Sequence, residues 1–525
     1  MHTYRISRKV FVSIPALAGM LASMCACDIH KSPGSKGSVK ASGSAAPASS
    51  GPHGGVALET SWKGVDLSVE AGPAVRKNNY TVIRVSFLIS RNAQVPADSV
   101  SLSSVFSEGS DPDTMLGLRM LDLERSLIYP QLNQSSVMAA GSLSKKKPVE
   151  IFPVFPSVGS DTQIVQLFLP SMGIVSIPVV NESDVQYSVD KILNDAKLPS
   201  KDIAPLKLDS IIQTADGSSD TKQDEKSTMV TVAGDVTFAT DSDQLSAQAD
   251  GVLASVVEQI KKYPSGGDLT ITGHTDDVAD DAHNQDLSER RAKAVSDRLK
   301  RLTDLSKWKG AVSGKGESSP RVPNDTDEHR QVNRRVEITL TPSKPAESSA
   351  PPSTGAAPSS TAMPKAAGPV GKGPEGVDVT IRDKVAHMSI DSVTRVGKFL
   401  IGTVRIEAEQ DVMMPTACLV LPESIEGLGW VALKHDILSL GVFSLTVLGG
   451  GKRYLEAGFN FSDGSGSLLA NPFVYDLVAG GVMSMPTVWP DPGGDRVVVD
   501  LPDGNNPTAP HRIVARLTDI PVVNA

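Results

Sequence analysis

The sequence predicts a multidomain chain: a central α/β sandwich of order β-α-β-α-β-β, flanked by two predominantly β, sandwich-like domains. Three observations carry this expectation. Tracts rich in Ser, Gly, Ala and Pro punctuate the chain and divide it into blocks. The middle block alternates strand-like runs with two apolar helical faces. The outer blocks show short β-branched runs interrupted by Pro, Gly, Asn and Asp at strand spacing. A length of 525 residues is too great for one core of ordinary size. A hydrophobic content of 40% suffices for packed cores, whereas 4% aromatic residues with 44 Gly and 36 Pro favour β-rich modules on flexible connections.

At the N-terminus, residues 1–9 form a short basic region carrying Arg5, Arg8 and Lys9, and residues 10–22 form an apolar stretch too short to span a bilayer. The following LASMCACDIH resembles a bacterial lipoprotein signal, in which an aliphatic residue and small residues precede an acylated cysteine. Cys27, preceded by the small Ala26, fits that position better than Cys25, preceded by Met24. The resemblance implies a signal peptide over 1–26 and a lipid on Cys27. Residues 27–55 then read as a Ser/Gly/Pro-rich tether. Loss of the leader takes the formal charge of −9 to −12, because it removes three cationic residues. So acidic a chain, without a basic stripe, excludes nucleic acid as a partner. The remaining cysteine, Cys418, lies in the apolar run TACLVLP and reads as a buried small hydrophobe.

The first β-rich domain spans 56–212, with strands expected at YTVIRVSFLIS (80–90) and SIPVV (176–180) and one helix in DVQYSVDKILNDAKLP. Residues 213–228 are polar and read as a linker. Residues 342–376 are a Pro/Ala/Ser-rich linker with too little apolar surface to fold. The second β-rich domain, 377–525, contains KFLIGTVRIEAE, RVVVDL and HRIVARL as strand candidates.

The middle domain, 229–341, opens on a β-like segment with Val230, Val232, Val236 and Phe238. Leu253, Val256, Val257 and Ile260 then form one helical face, with Ser246 as the expected cap and Pro264 as the stop. LTITGH is a short strand. A second helix is expected from about Leu287, capped by Ser288, and AVSGKG and RVEITL supply the last two strands.

The chemistry concentrates in GHTDDVADDAHNQDLSERRAKAV (273–295), where Asp276 in a loop and Arg291 in a helix stand fifteen positions apart. A carboxylate near a fixed guanidinium suits a zwitterionic ligand, taking its ammonium on one group and its carboxylate on the other. Four elements occur in order: F-x-x-D (Phe238, Asp241), the TD…N…LSxRRA run, GxGE (Gly314 to Glu317) and NRRVEI from Asn333. Together they resemble the OmpA-like peptidoglycan-binding domain, over about a fifth of the chain. The resemblance implies binding of diaminopimelate in the peptide stem. Asp276 would take the ammonium and Arg291 the carboxylate, with Asp241 and Asn284 lining the site and Arg334 or Arg335 holding it together. For Arg335, alternation with Val336, Ile338 and Leu340 leaves a structural salt bridge as open as ligand contact. Two positions depart from the family pattern. Ala279 stands where the family commonly has Gly, and Asp241 where it often has Asn.

Other chemistries find little support. The His274–His283 stretch lacks the spacing of a calcium hand or a zinc site, so no metal is expected. No G-x-S-x-G, phosphate-binding glycine loop or Cys–His pair suggests an enzyme, and no cofactor is implied. The expected function is non-covalent peptidoglycan binding by a lipid-anchored extracytoplasmic protein, tethering membrane to wall. The alternative is an envelope adaptor whose β-domains bind protein partners, with wall binding serving only localisation.

Overall fold

The computed structural model describes residues 55–90, 118–133, 142–200, 203–224, 226–239, 241–344, 363–415, 418–419, 442, 444–460, 466–471, 474–503 and 512–525. The leader, Cys27 and nearly all of the tether lie outside the described residues, as do 345–362 of the Pro/Ala/Ser-rich tract.

In the first block, Val56–Trp62, Val65–Lys77 and Tyr80–Ile89 form an antiparallel meander. Its first turn takes Lys63 and Gly64 through positive φ (47° and 76°), the backbone that matches strand twist in a two-residue hairpin. Alternation buries Leu67 and Val69 while Asp66 stays exposed. In the third block, Phe399–Ala408 pairs along its full length with Gly481–Pro490. The expected helix in the first block is present as Val189–Asp195, capped by Ser188.

Two independent β-domains were expected, and the structure differs. Leu67, Phe87 and Leu167 of the first block share one hydrophobic cluster with Met388, Val404 and Trp489 of the third. A second shared cluster joins Leu121, Ile128 and Phe168 to Phe399, Phe459 and Val488. Strand Leu206–Thr214 runs between them, meeting Ile128 at Leu206, Phe459 at Leu208 and Tyr454 at Ile212. Buried Asn471 also accepts the Ser171 backbone N–H at 2.6 Å. The two blocks are halves of one β core. The physical reason is that each has apolar strand faces which its own strands do not cover.

The expected linker at 213–228 is likewise not one. Ser219–Gln223 is a strand despite its polar sequence SDTKQ, paired on one side with Leu206–Thr214 and on the other with Thr228–Ala233. Its pairing joins the β core to the middle domain in one sheet. At the far end of the 342–376 tract, Val370–Lys372 pairs in parallel with Ala515–Asn524. Cys418 is buried in a turn rather than a strand, and burial pushes its thiol up to about 12.

The middle domain keeps the expected strands and two long helices with shifted boundaries, and adds two short helices absent from the expected order, Gly234–Thr237 and, between the last two strands, Asp327–Asn333. Thr228–Ala233 pairs with Arg335–Pro342, which pairs with Gly267–His274, and this pairs in parallel with Trp308–Gly314. Helices Ala249–Lys261 and Asp281–Leu302 pack Leu253, Val256, Ala292, Val295 and Leu299 onto Val230, Ile271, Val336 and Ile338. Ser246 does not cap the first helix; Gln248 holds that position, and Ser246 Oγ bonds Val236 O and Gln248 N. The second helix begins six residues earlier than expected, capped by the Asp280 side chain accepting from His283 N at 2.9 Å. Ser288 is buried two turns in, where its Oγ accepts from Gly316 N. Gly273 is obligatory there, because a Cβ would stand 2.1 Å from Ser288 O, so the helix rests directly on the sheet. No helix among the described residues is long and apolar enough to cross a membrane.

The β core carries one ionisable group at odds with its surroundings. Glu456 is fully buried, and desolvation pushes its carboxyl up to about 8. An acid with a raised folded pKa binds more protons folded than unfolded, so stability falls as pH rises from about 4.5 towards about 8. Glu456→Gln should therefore raise Tm at pH 8 by the equivalent of a few kcal/mol, on the order of 3, relative to its effect at pH 4. Thermal unfolding at the two pH values checks this, and a pH-independent shift would contradict it.

Candidate ligand-binding site

The site is built where the loop after Gly267–His274 meets the first turns of Asp281–Leu302. Asp276 is buried, and its Oδ2 accepts from Arg334 Nη1 at 2.6 Å. Arg334 is itself gripped by Asp235, with Nε and Nη2 donating to the two carboxylate oxygens at 2.8 and 2.6 Å. The bonds to Asp235 and then Asp276 raise the Arg334 pKa above its ordinary value, although partial burial opposes this. Asp276 is thus held by Arg334 and not by Arg291.

Arg291 is also buried, and it is fixed separately. Its Nε donates to Ser242 O at 2.9 Å, and its guanidinium carbon lies 5.2 Å from the centre of the Phe238 ring. That contact combines packing with cation–π attraction. Burial lowers the Arg291 pKa, opposed chiefly by the charges of Asp235 and Asp241, with Asp276 also contributing. The F-x-x-D element therefore has a physical role: Phe238 is the platform for Arg291. Asp241 takes a positive φ of 47°, a conformation that Asp and Asn tolerate better than other side chains. Its side chain is exposed and meets His283 Nε2 at 3.2 Å.

Asn284 ties the acidic loop to the helix. Its Nδ2 donates to Asp276 O and Ala279 O, both at 3.1 Å, and to Glu317 Oε2 at 2.6 Å. Ala279 is not among the residues with positive φ, so this loop turns without the glycine usual there. The GxGE element thereby supplies Glu317 as an anchor for Asn284.

Arg335 belongs to a different cluster. It lies on the sheet face opposite Val336 and Ile338 and donates to Glu337 Oε1 at 2.8 Å, to Asn333 O and to Ser319 O. Burial opposes ionisation of Glu337, but His274, 3.6 Å away, and the Arg335 guanidinium bring its pKa down to about 2. Of the alternatives open for Arg335, the structure realises the salt bridge. Asn333 is fully buried and accepts from Arg321 N and Val322 N, fastening the loop that precedes the last strand.

Sequence reasoning missed Asp235, which stands in GDVT, a four-residue helical turn that reads locally as strand. Only its distance to Arg334 reveals it. Among the described residues no group of three or more His, Cys, Asp or Glu side chains is placed to hold a metal ion.

An α/β domain in which a carboxylate and a guanidinium are each fixed by separate partners is what fold and site define. Residues 237–334 match the model of the OmpA family, and this segment is an OmpA family domain. Outer membrane porin F of Pseudomonas aeruginosa is 40% identical over 112 residues, which make up 21% of this chain and 32% of the relative. Outer membrane protein A of Escherichia coli O157:H7 is 34% identical over 124 residues, covering 21% of this chain and 34% of the relative. The chain thus spans about a third of the length of these curated relatives. Among solved structures, the cell wall anchor of the T6SS from Pseudomonas aeruginosa is similar, at 29% identity and a TM-score of 0.22. That match covers 25% of this chain and 89% of the other.

Proposed function

We propose that this protein binds cell-wall peptidoglycan non-covalently through its OmpA family domain, on the extracytoplasmic side of a membrane in which a lipid on Cys27 anchors it. The observation that carries the reading is the pairing of two independently fixed groups within the family-matched span. One is Asp276, held by Arg334, and the other is Arg291, held by Ser242 and Phe238. Diaminopimelate in a peptide stem offers a free zwitterionic end. Asp276 takes its ammonium and Arg291 takes its carboxylate in a fork. Both protein groups are oriented by other protein groups, Asp276 by the Arg334 side chain and Arg291 by the Ser242 carbonyl and the Phe238 ring, before the ligand arrives, which lowers the ordering cost of binding. Asn284 sets the loop, and Arg334 serves as the positioning residue for Asp276. Asp241 rims the site.

A fragment of residues 216–344, which contains the domain's whole hydrophobic cluster and strand Ser219–Gln223, should co-sediment with purified peptidoglycan as the full chain does. A full chain that sediments while the folded fragment stays in solution would move wall binding to the β core. For the anchor, Cys27→Ala should release the exported protein from membranes. One acyl chain alone binds only marginally and two give stable attachment, at about 0.8 kcal/mol per buried methylene. An unmodified Cys27 by mass spectrometry would remove the lipid from the reading.

A further inference from the structure

A cleft of about 220 Å³ lies between the C-terminal end of helix Ala249–Lys261 and the β core, away from the Asp276 loop. Its floor is the polar face of strands Leu206–Thr214 and Ser219–Gln223, presenting Ser210, Thr214 and Thr221. Gln259 and Lys262 line one wall, and Lys452, Tyr454 and Lys398 line the other. Two features of this lining are selective.

Gln259 is 6% exposed, and its Oε1 has no hydrogen-bond partner among the described protein atoms. A buried acceptor of this kind gains from any ligand that brings an O–H or N–H donor. Three lysines line the cleft against one carboxylate, Asp491, and that carboxylate is bridged at 2.6 Å by Arg395. The Glu258 beside the cleft is likewise bridged by Lys452 at 3.0 Å. With Lys452 paired to Glu258 and Asp491 to Arg395, the exposed Lys262 leaves the lining net positive, which favours an anion. Ile212, Tyr454 and Pro490 add an apolar side, which suits the C–H face of a ring.

We infer that this cleft binds a small acidic sugar, a hydroxylated ring bearing one oxyanion, whose hydroxyl or amide donates to Gln259 and whose anion faces Lys262. The volume suits one ring rather than a polymer, since pockets for larger ligands begin at roughly 300 Å³. The inference is independent of the Asp276 site, and it holds or fails without it.

The test is titration calorimetry on the full chain with four probes: N-acetylmuramic acid, glucose 6-phosphate, N-acetylglucosamine and inorganic phosphate. Binding is expected for at least one of the two acidic sugars, and which one binds distinguishes a carboxylate from a phosphate as the oxyanion. N-acetylglucosamine, the neutral ring, and phosphate, the bare anion, should each bind about tenfold more weakly or less. Lys262→Met and Gln259→Leu should each weaken the acidic sugar by about tenfold, whereas Asp276→Asn should leave it unchanged. Lys262 is exposed, so its variant remains informative if Gln259→Leu does not fold. Failure of both acidic sugars to bind, equal binding of phosphate or of the neutral ring, or indifference to Lys262→Met would overturn the assignment.

Discussion

A chain ending at residue 350 is expected to keep the OmpA family domain folded and to lose the structure of residues 56–212. The first block shares its hydrophobic clusters with Phe399, Val404, Phe459 and Trp489, all of which such a chain lacks. Strand Leu206–Thr214 would also lose Lys452–Tyr454 and Gly458–Asn460 as pairing partners. Full burial of one large apolar side chain contributes roughly 1.5–3 kcal/mol, against a typical net stability of about 5–15 kcal/mol. Loss of a few such partners already exceeds what a domain can spare. The OmpA family domain differs because its cluster is drawn from residues 230–340 alone. Hydrogen exchange on the truncated chain should therefore show protection retained across Gly267–His274 and Arg335–Pro342 and lost across Val65–Lys77 and Tyr80–Ile89. Retained protection in the meander would make the two blocks separate domains that merely touch.

Asp276→Asn and Arg291→Ala should each weaken binding of diaminopimelate-containing wall fragments by about ten- to hundredfold. The basis is the roughly 1.5–3 kcal/mol carried by a charge-assisted contact. The two variants should differ in stability. Asp276→Asn leaves Arg334 held by Asp235, so the fold keeps its clamp. Arg291→Ala removes the bond to Ser242 and the packing on Phe238, and it should lower Tm as well. Arg291→Lys keeps the charge but not the planar fork and should restore little. Because the two groups serve one ligand, the double variant should lose less than the sum of the single losses. Arg335→Ala is the control. Breaking its half-buried pair with Glu337 and its bonds to Asn333 O and Ser319 O should lower Tm, while the folded fraction binds with undiminished affinity. Titration calorimetry beside circular dichroism decides the matter, and unchanged affinity in folded Asp276→Asn protein would leave Asp276 a structural residue only.

The legible parts of the chain were those with a local signature. The Leu253–Ile260 apolar face and the alternating Arg335–Pro342 strand are repeats over a few residues, and each appears where the pattern places it. The start of helix Asp281–Leu302 was read six residues late because its first turns, DAHNQD, are polar and show no apolar face before Leu287. There the buried polar residue is Asn284, which is directed into the acidic loop. Strand Ser219–Gln223 had no signature at all. It is a strand because two neighbouring strands supply its hydrogen-bond partners, and that depends on how the whole sheet assembles.

By itself, the sequence determined the local elements of the OmpA family domain and placed a loop carboxylate, Asp276, and a helix guanidinium, Arg291, fifteen positions apart. Only the tertiary structure decided that Arg334, gripped by Asp235 from ninety-nine positions away, holds Asp276, and that Arg291 rests on Phe238 instead. It also decided that blocks separated by the entire middle domain share one β core. Periodicity and capping are set by neighbours a few residues apart, so they can be read along the chain. Which distant side chain satisfies a buried charge, or covers an apolar strand face, is set by the packing of all elements together, and the chain carries no local sign of it.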